Sequence, residues 1–114
     1  MELTVIELEP VTVLAISGSV DSLTADQLTA ALASHVKAGR SRLVADFSAV
    51  DYISSAGLRS LLATLKDARR LGGDLRIAAV HPPVERVLSL SGFASIIKIY
   101  PDVGGARASF DPPA

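Results

Sequence analysis

The period of apolar and polar positions changes several times along this chain, and each change predicts an element. Leu3 to Glu7 is short and rich in β-branched residues, which reads as a strand; Glu9-Pro10 turns the chain. Val11 to Ser17 carries a nearly continuous apolar run, so it reads as a second, largely buried strand that Gly18 ends, and the pair suggests a hairpin. From Thr24 the period becomes helical: Leu28, Ala31, Leu32 and His35 or Val36 form one stripe, closed by Gly39. Thr24 and Gln27 stand at capping-box spacing, and His35 falls where a cation would complement the helix dipole. Arg42 to Phe47 reads as a central strand. A helix follows from about Ser55 to Leu71, with Leu58, Leu61, Leu62 and Leu65 as core positions and Gly72-Gly73-Asp74 as its stop. Leu75 to Val80 is a fourth strand. His81-Pro82-Pro83 opens a third helix carrying Val84, Val87, Leu88 and Leu90, which ends at Gly92. Ile96 to Tyr100 is a last strand, Val103 to Phe110 a weak final helix, and residues 111–114 a frayed tail.

The order is β-β-α-β-α-β-α-β with a terminal helix. It predicts an α/β domain whose mixed sheet of four to five strands packs with about four helices, parallel except for the first hairpin. The 114 residues suit one domain, here 1–110, and 49% apolar residues suffice for a core.

Composition narrows the chemistry. The absence of cysteine excludes disulfides and thiol catalysis, and two histidines, His35 and His81, are too few to suggest a metal site, so no metal or cofactor is expected. A net charge of −1 without a basic block argues against nucleic-acid contact. Apolar runs stop at four residues where a membrane span needs roughly twenty. The N-terminus lacks a signal-peptide layout, and a cytoplasmic location is expected.

One junction stands apart. Ile53-Ser54-Ser55-Ala56-Gly57-Leu58 puts two hydroxyls where the first backbone N–H groups of a helix lack intrahelical partners. Capping accounts for one, most naturally Ser54, and leaves Ser55 spare in the first turn. At ~100° per residue, the leucines cluster near ~290° from Ser55, whereas Arg59 and Lys66 lie at ~40° and ~20°. A phosphate on Ser55 would meet the positive helix end and reach toward Arg59. A hydrolase elbow would need G-x-S-x-G, but Ile53 stands where the first glycine should be, so catalysis is not expected.

Val50-Asp51-Tyr52-Ile53-Ser54-Ser55-Ala56-Gly57-Leu58-Arg59 resembles the signature of the STAS domains of bacterial anti-sigma factor antagonists. Gly18-Ser19-Val20-Asp21 is similar to that family's G-E-L-D turn, and His81 to Leu88 with Leu90 to Phe93 resembles its third-helix block. The resemblance runs from about Leu3 to Tyr100 and implies a STAS fold. It implies a partner switch without enzymatic activity: the unphosphorylated antagonist binds an anti-sigma factor that is also a serine kinase, and sigma is released. Phosphorylation of the motif serine by that kinase ends the complex, and a PP2C-type phosphatase reverses the modification. By motif that serine is Ser55, with Ser54 as the alternative, because Ser54 replaces the usual aspartate. Ser19, which replaces the glutamate of the turn, would join Asp21, Ser54, Ala56, Gly57 and Arg59 in a partner-binding surface on a monomer or weak dimer. The alternative is a STAS adaptor of an ABC-type membrane transport complex, or another non-transcriptional scaffold.

Overall fold

The computed structural model describes residues 1–7 and 9–110, apart from the Glu7 side chain; the tail expected at 111–114 lies outside them. Five strands form one sheet in the order β1-β2-β3-β4-β5: β1 (Glu2–Glu7), β2 (Thr12–Val20), β3 (Arg42–Ile53), β4 (Asp74–Ala78) and β5 (Lys98–Tyr100). β1 runs antiparallel to β2 and the other pairings are parallel. The helices are α1 (Ala25–Lys37), α2 (Ser55–Arg70), α3 (Pro82–Leu90) and α4 (Val103–Ala108), with a 3₁₀ turn at Phe93–Ser95. This is the mixed α/β architecture that the alternating periods predict.

Side-chain alternation along the central strands divides the core. Leu14, Ile16, Leu43, Phe47, Leu75 and Ile77 face the large cluster that also holds Leu28, Leu32, Leu61, Leu65 and Leu88 of α1, α2 and α3. Val11, Val13, Val44 and Ala78 face the opposite way, onto Ala106 of α4.

Several boundaries differ from the sequence reading, each for a local reason. Gly18 does not end β2; at φ +89° it sits inside the strand beside a register shift, and pairing continues to Val20. β3 likewise runs to Ile53 rather than Phe47, because β2 accompanies it that far. β4 stops at Ala78, since Ala79 takes φ 61° and its N–H turns to the Tyr100 carbonyl. Phe93–Ser95 coils and delays the last strand to Lys98. Leu90 is 82% exposed rather than core, and Leu58 and Leu62 are only partly buried. Ser60 and Thr64 of α2 are buried instead, because α2 packs against α1 as well as the sheet: Ser60 Oγ donates to the Ala25 carbonyl at 2.8 Å and meets the Thr29 hydroxyl.

His35 is not a dipole-complementing cation. Arg40 Nε donates to its Nδ1 at 3.1 Å, and burial followed by the Arg40 charge lowers its pKa below the usual 6.5. The folded state therefore holds this imidazole neutral at pH values where the unfolded chain takes up a proton. The stability this contributes is complete above about pH 6.5 and is lost as pH falls toward the lowered folded value. We expect His35→Gln, which accepts the same hydrogen bond without titrating, to lose less stability than wild type between about pH 7.5 and 5. Urea midpoints at the two pH values check this, and equal losses would refute it.

Candidate functional site

The β2–α1 turn and the β3–α2 junction meet at one edge of the sheet. Val20 pairs with Ile53 at the ends of two parallel strands, and the Ser54 N–H donates to the Val20 carbonyl at 2.8 Å. Parallel strands deliver their C-terminal loops to the same edge, and open α/β sheets place sites there.

β3 reaches this edge irregularly. Between the pairs Ala15–Asp46 and Ser17–Ala49, and again between Gly18–Val50 and Ser19–Tyr52, it spends one residue more than β2. Such bulges re-aim side chains. Beside the second, the Ser19 hydroxyl donates to Asp51 Oδ1 at 3.0 Å.

The capping box expected from Thr24 and Gln27 is not formed, and the Thr24 side chain does not cap α1. A reciprocal pair forms one step earlier. Asp21 Oδ1 accepts from the Leu23 and Thr24 N–H groups at 2.9 and 3.1 Å, and Thr24 Oγ1 accepts from the Asp21 N–H at 2.9 Å. The Thr24 hydroxyl also lies 3.1 Å from the Ser19 carbonyl, tying the turn back to β2. Asp21 thus holds the turn as well as charging the edge.

At the α2 N-terminus the two serines divide the work. Ser54 is the N-cap, in extended geometry, and its Oγ accepts from the Gly57 N–H at 3.2 Å. Ser55 is the first helical residue; its side chain is exposed and, among the described residues, makes no hydrogen bond. Its helical backbone shows none of the strain of a nucleophile elbow, and the one non-glycine residue with positive φ among those described is Ala79. Gly57, expected on the partner face, is instead buried. A Cβ there would lie 2.7 Å from Val20 Cγ1 and 2.9 Å from Ile53 Cγ1, so the glycine lets the helix seat on the strand ends.

Ala56 and exposed Arg59 line a groove of about 380 Å³ between α1 and α2, together with Ser22, Asp26 and Thr29. Arg59 enters no ion pair among the described residues. A second groove, of about 310 Å³, lies between β3 and the start of α3, lined by Ala49, Val50, Asp51 and His81. There the His81 ring donates from Nε2 to the Ser48 carbonyl at 2.5 Å, occupying space that β4 vacates after Ala78. Asp51, His81, Leu23 and Tyr52 at this edge were not singled out as site residues from the sequence. Asp51 and Tyr52 stand inside the serine motif, but only the bulges show where they point. No group of three or more His, Cys, Asp or Glu among the described residues is arranged to hold a metal ion.

The same fold occurs in anti-sigma factor antagonists and in anion-transport proteins, among them a sulfate transporter family protein from Wolinella succinogenes. BtrV of Bordetella bronchiseptica, named for an anti-sigma factor antagonist role, is 38% identical over 110 residues, covering 96% of this chain and 95% of that protein. The crystal structure of an anti-sigma factor antagonist from Mycobacterium paratuberculosis is 30% identical with a TM-score of 0.86, covering 95% of this chain and 92% of that one. The phosphorylated form of SpoIIAA, the Bacillus cell fate determinant, shares the fold at a TM-score of 0.72 and 16% identity, over 96% and 98% of the two chains. The family model of the STAS domain matches residues 2–106, and the chain belongs to the STAS domain family.

Proposed function

We propose that this protein is an anti-sigma factor antagonist working as a phosphorylation-controlled partner switch in the cytoplasm. Unphosphorylated, it binds an anti-sigma factor serine kinase through the edge carrying Ser19, Asp21, Ser54, Ala56 and Arg59, and sigma factor is released. The kinase phosphorylates Ser55, the complex dissociates, and a PP2C-type phosphatase restores the binding form. The protein itself catalyses nothing. The observation that carries this reading is the division of labour at the α2 N-terminus: Ser54 supplies the cap, so the exposed Ser55 hydroxyl is free for modification.

Phosphorylation adds about −1.5 to −2 charges. In the isolated domain the helix dipole favours an anion at this end by ~0.3–1 kcal/mol, so the fold tolerates the group. In a docked interface the same group is bulky and hard to desolvate. The switch is a blocked surface rather than a remodelled domain.

The test is displacement. Each purified serine-kinase anti-sigma factor of the host genome is loaded with fluorescent sigma factor and titrated with this protein, unphosphorylated or carrying phosphoserine at position 55. Release by the first form alone is expected. Release by neither overturns the proposal, and binding to a transport ATPase in its place would favour the adaptor role.

A further inference from the structure

Two large side chains at this edge are exposed. Leu23 is 90% exposed, although its backbone is held: its N–H donates to Asp21 Oδ1, and the next residue lies within hydrogen-bond reach of the Ser19 carbonyl. Tyr52 is 51% exposed and pairs in register with that same Ser19. The turn bearing Leu23 is thus tied to the residue opposite Tyr52, and Ser54, bonded to Val20, follows directly on the strand end. A solvent-facing turn has no need of leucine, and serine or asparagine serves as well. Interfaces draw most of their affinity from a few large side chains that become fully desolvated at the centre of the contact, tyrosine more often than leucine, and here the two stand together on a held turn and strand end.

The charge around the pair is acidic on balance. Asp21, Asp26 and Asp51 lie at or beside this edge, against Arg59 and the Met1 ammonium beside Gly18. A partner matched to it offers apolar pockets ringed by basic side chains.

We infer that Leu23 and Tyr52 are the apolar anchors by which this edge grips its anti-sigma factor, which receives them in pockets with a basic rim. The inference rests on the proposed function and adds which residues supply affinity. It also accounts for blocking by phosphate without any change of fold: Ser55 follows Tyr52 by three residues, and a hydrated dianion there holds the flanking pockets off the anchors.

The experiment is calorimetric titration of the purified anti-sigma factor kinase that wild type displaces from sigma, against Leu23→Ser, Tyr52→Thr and Leu90→Ser. Leu90 is the control, since it is 82% exposed but sits at the end of α3, from which the chain returns toward the start of β5. Threonine at position 52 keeps strand propensity. Leu23→Ser and Tyr52→Thr should each weaken binding at least about tenfold, with urea midpoints at the wild-type value, while Leu90→Ser changes affinity less than about twofold. Wild-type affinity should also fall as salt rises. If wild type binds and the two edge variants match Leu90→Ser, the anchors are wrong and the proposed function stands. Binding that strengthens with salt overturns the basic rim. If wild type binds no anti-sigma factor, the proposed function falls and the anchors with it.

Discussion

Ser55→Ala should bind the cognate kinase and accept no phosphate, locking the antagonist in its binding form. The change removes an exposed hydroxyl without a hydrogen bond among the described residues, so stability should stay within about 0.5 kcal/mol of wild type. Ser55→Glu places a carboxylate at the same helix end. It should fold normally and bind at least tenfold more weakly, which is about 1.4 kcal/mol. Ser54→Ala separates the two hydroxyls. It removes the acceptor for the Gly57 N–H and should cost about 1 kcal/mol while leaving phosphorylation intact. The assay incubates each variant with kinase and ATP and maps the phosphopeptide. If Ser55→Ala is still modified at wild-type stoichiometry, Ser55 is not the acceptor.

Gly73→Ala should be the most damaging single-methyl change in the α2–β4 connection. A Cβ on Gly73 would lie 2.0 Å from the Ser41 carbonyl oxygen, 2.4 Å from its carbon and 2.6 Å from its hydroxyl. Two of these are backbone atoms, which cannot rotate aside. The approach is also fixed from both sides, since the Gly73 N–H donates to Ala68 at 2.8 Å and the Asp74 N–H donates to that same Ser41 carbonyl at 2.9 Å. Relief requires the start of β4 to move off β3, where Arg42 pairs with Asp74. It would also disturb the Asp74 carboxylate, which holds Arg69 and Arg76 at 2.9 and 3.0 Å. We expect a loss of about 3 kcal/mol or more, or a Tm lower by roughly 10–20 °C. Gly72→Ala is the matched comparison. It has φ +87° and open space around it, so it should cost only the left-handed conformation, about 1–2 kcal/mol. Urea unfolding of both variants decides: a Gly73→Ala midpoint no lower than that of Gly72→Ala would mean the close approach is not constraining.

The hydrophobic period alone was enough to order the strands and helices. A strand needs alternation or a short apolar run and a helix needs a stripe, and each signal is local. The same holds for the serine pair. Two adjacent serines at a helix start are legible because the cap needs only one of them, and the structure places Ser54 and Ser55 accordingly.

What the sequence left undetermined depends on residues far apart along the chain. β2 and β3 extend past their apolar runs because each supplies the other's hydrogen bonds as far as Val20 and Ile53, an exchange no single segment displays. Ser60, a polar residue off the leucine stripe of α2, is buried because α1 supplies the Ala25 carbonyl and the Thr29 hydroxyl that satisfy it. Asp21 reads as a surface charge until the fold sets its carboxylate on the Leu23 and Thr24 N–H groups. Gly57 reads as part of a binding motif until Val20 and Ile53 close over it. The sequence by itself determined the element order and the spare serine, since both follow from spacing of a few residues. Only the tertiary structure decided which neighbours of that serine face solvent, because their burial and hydrogen bonds come from strands and helices far along the chain, 32 residues away for Ser19 and Asp51 and 35 for Ala25 and Ser60.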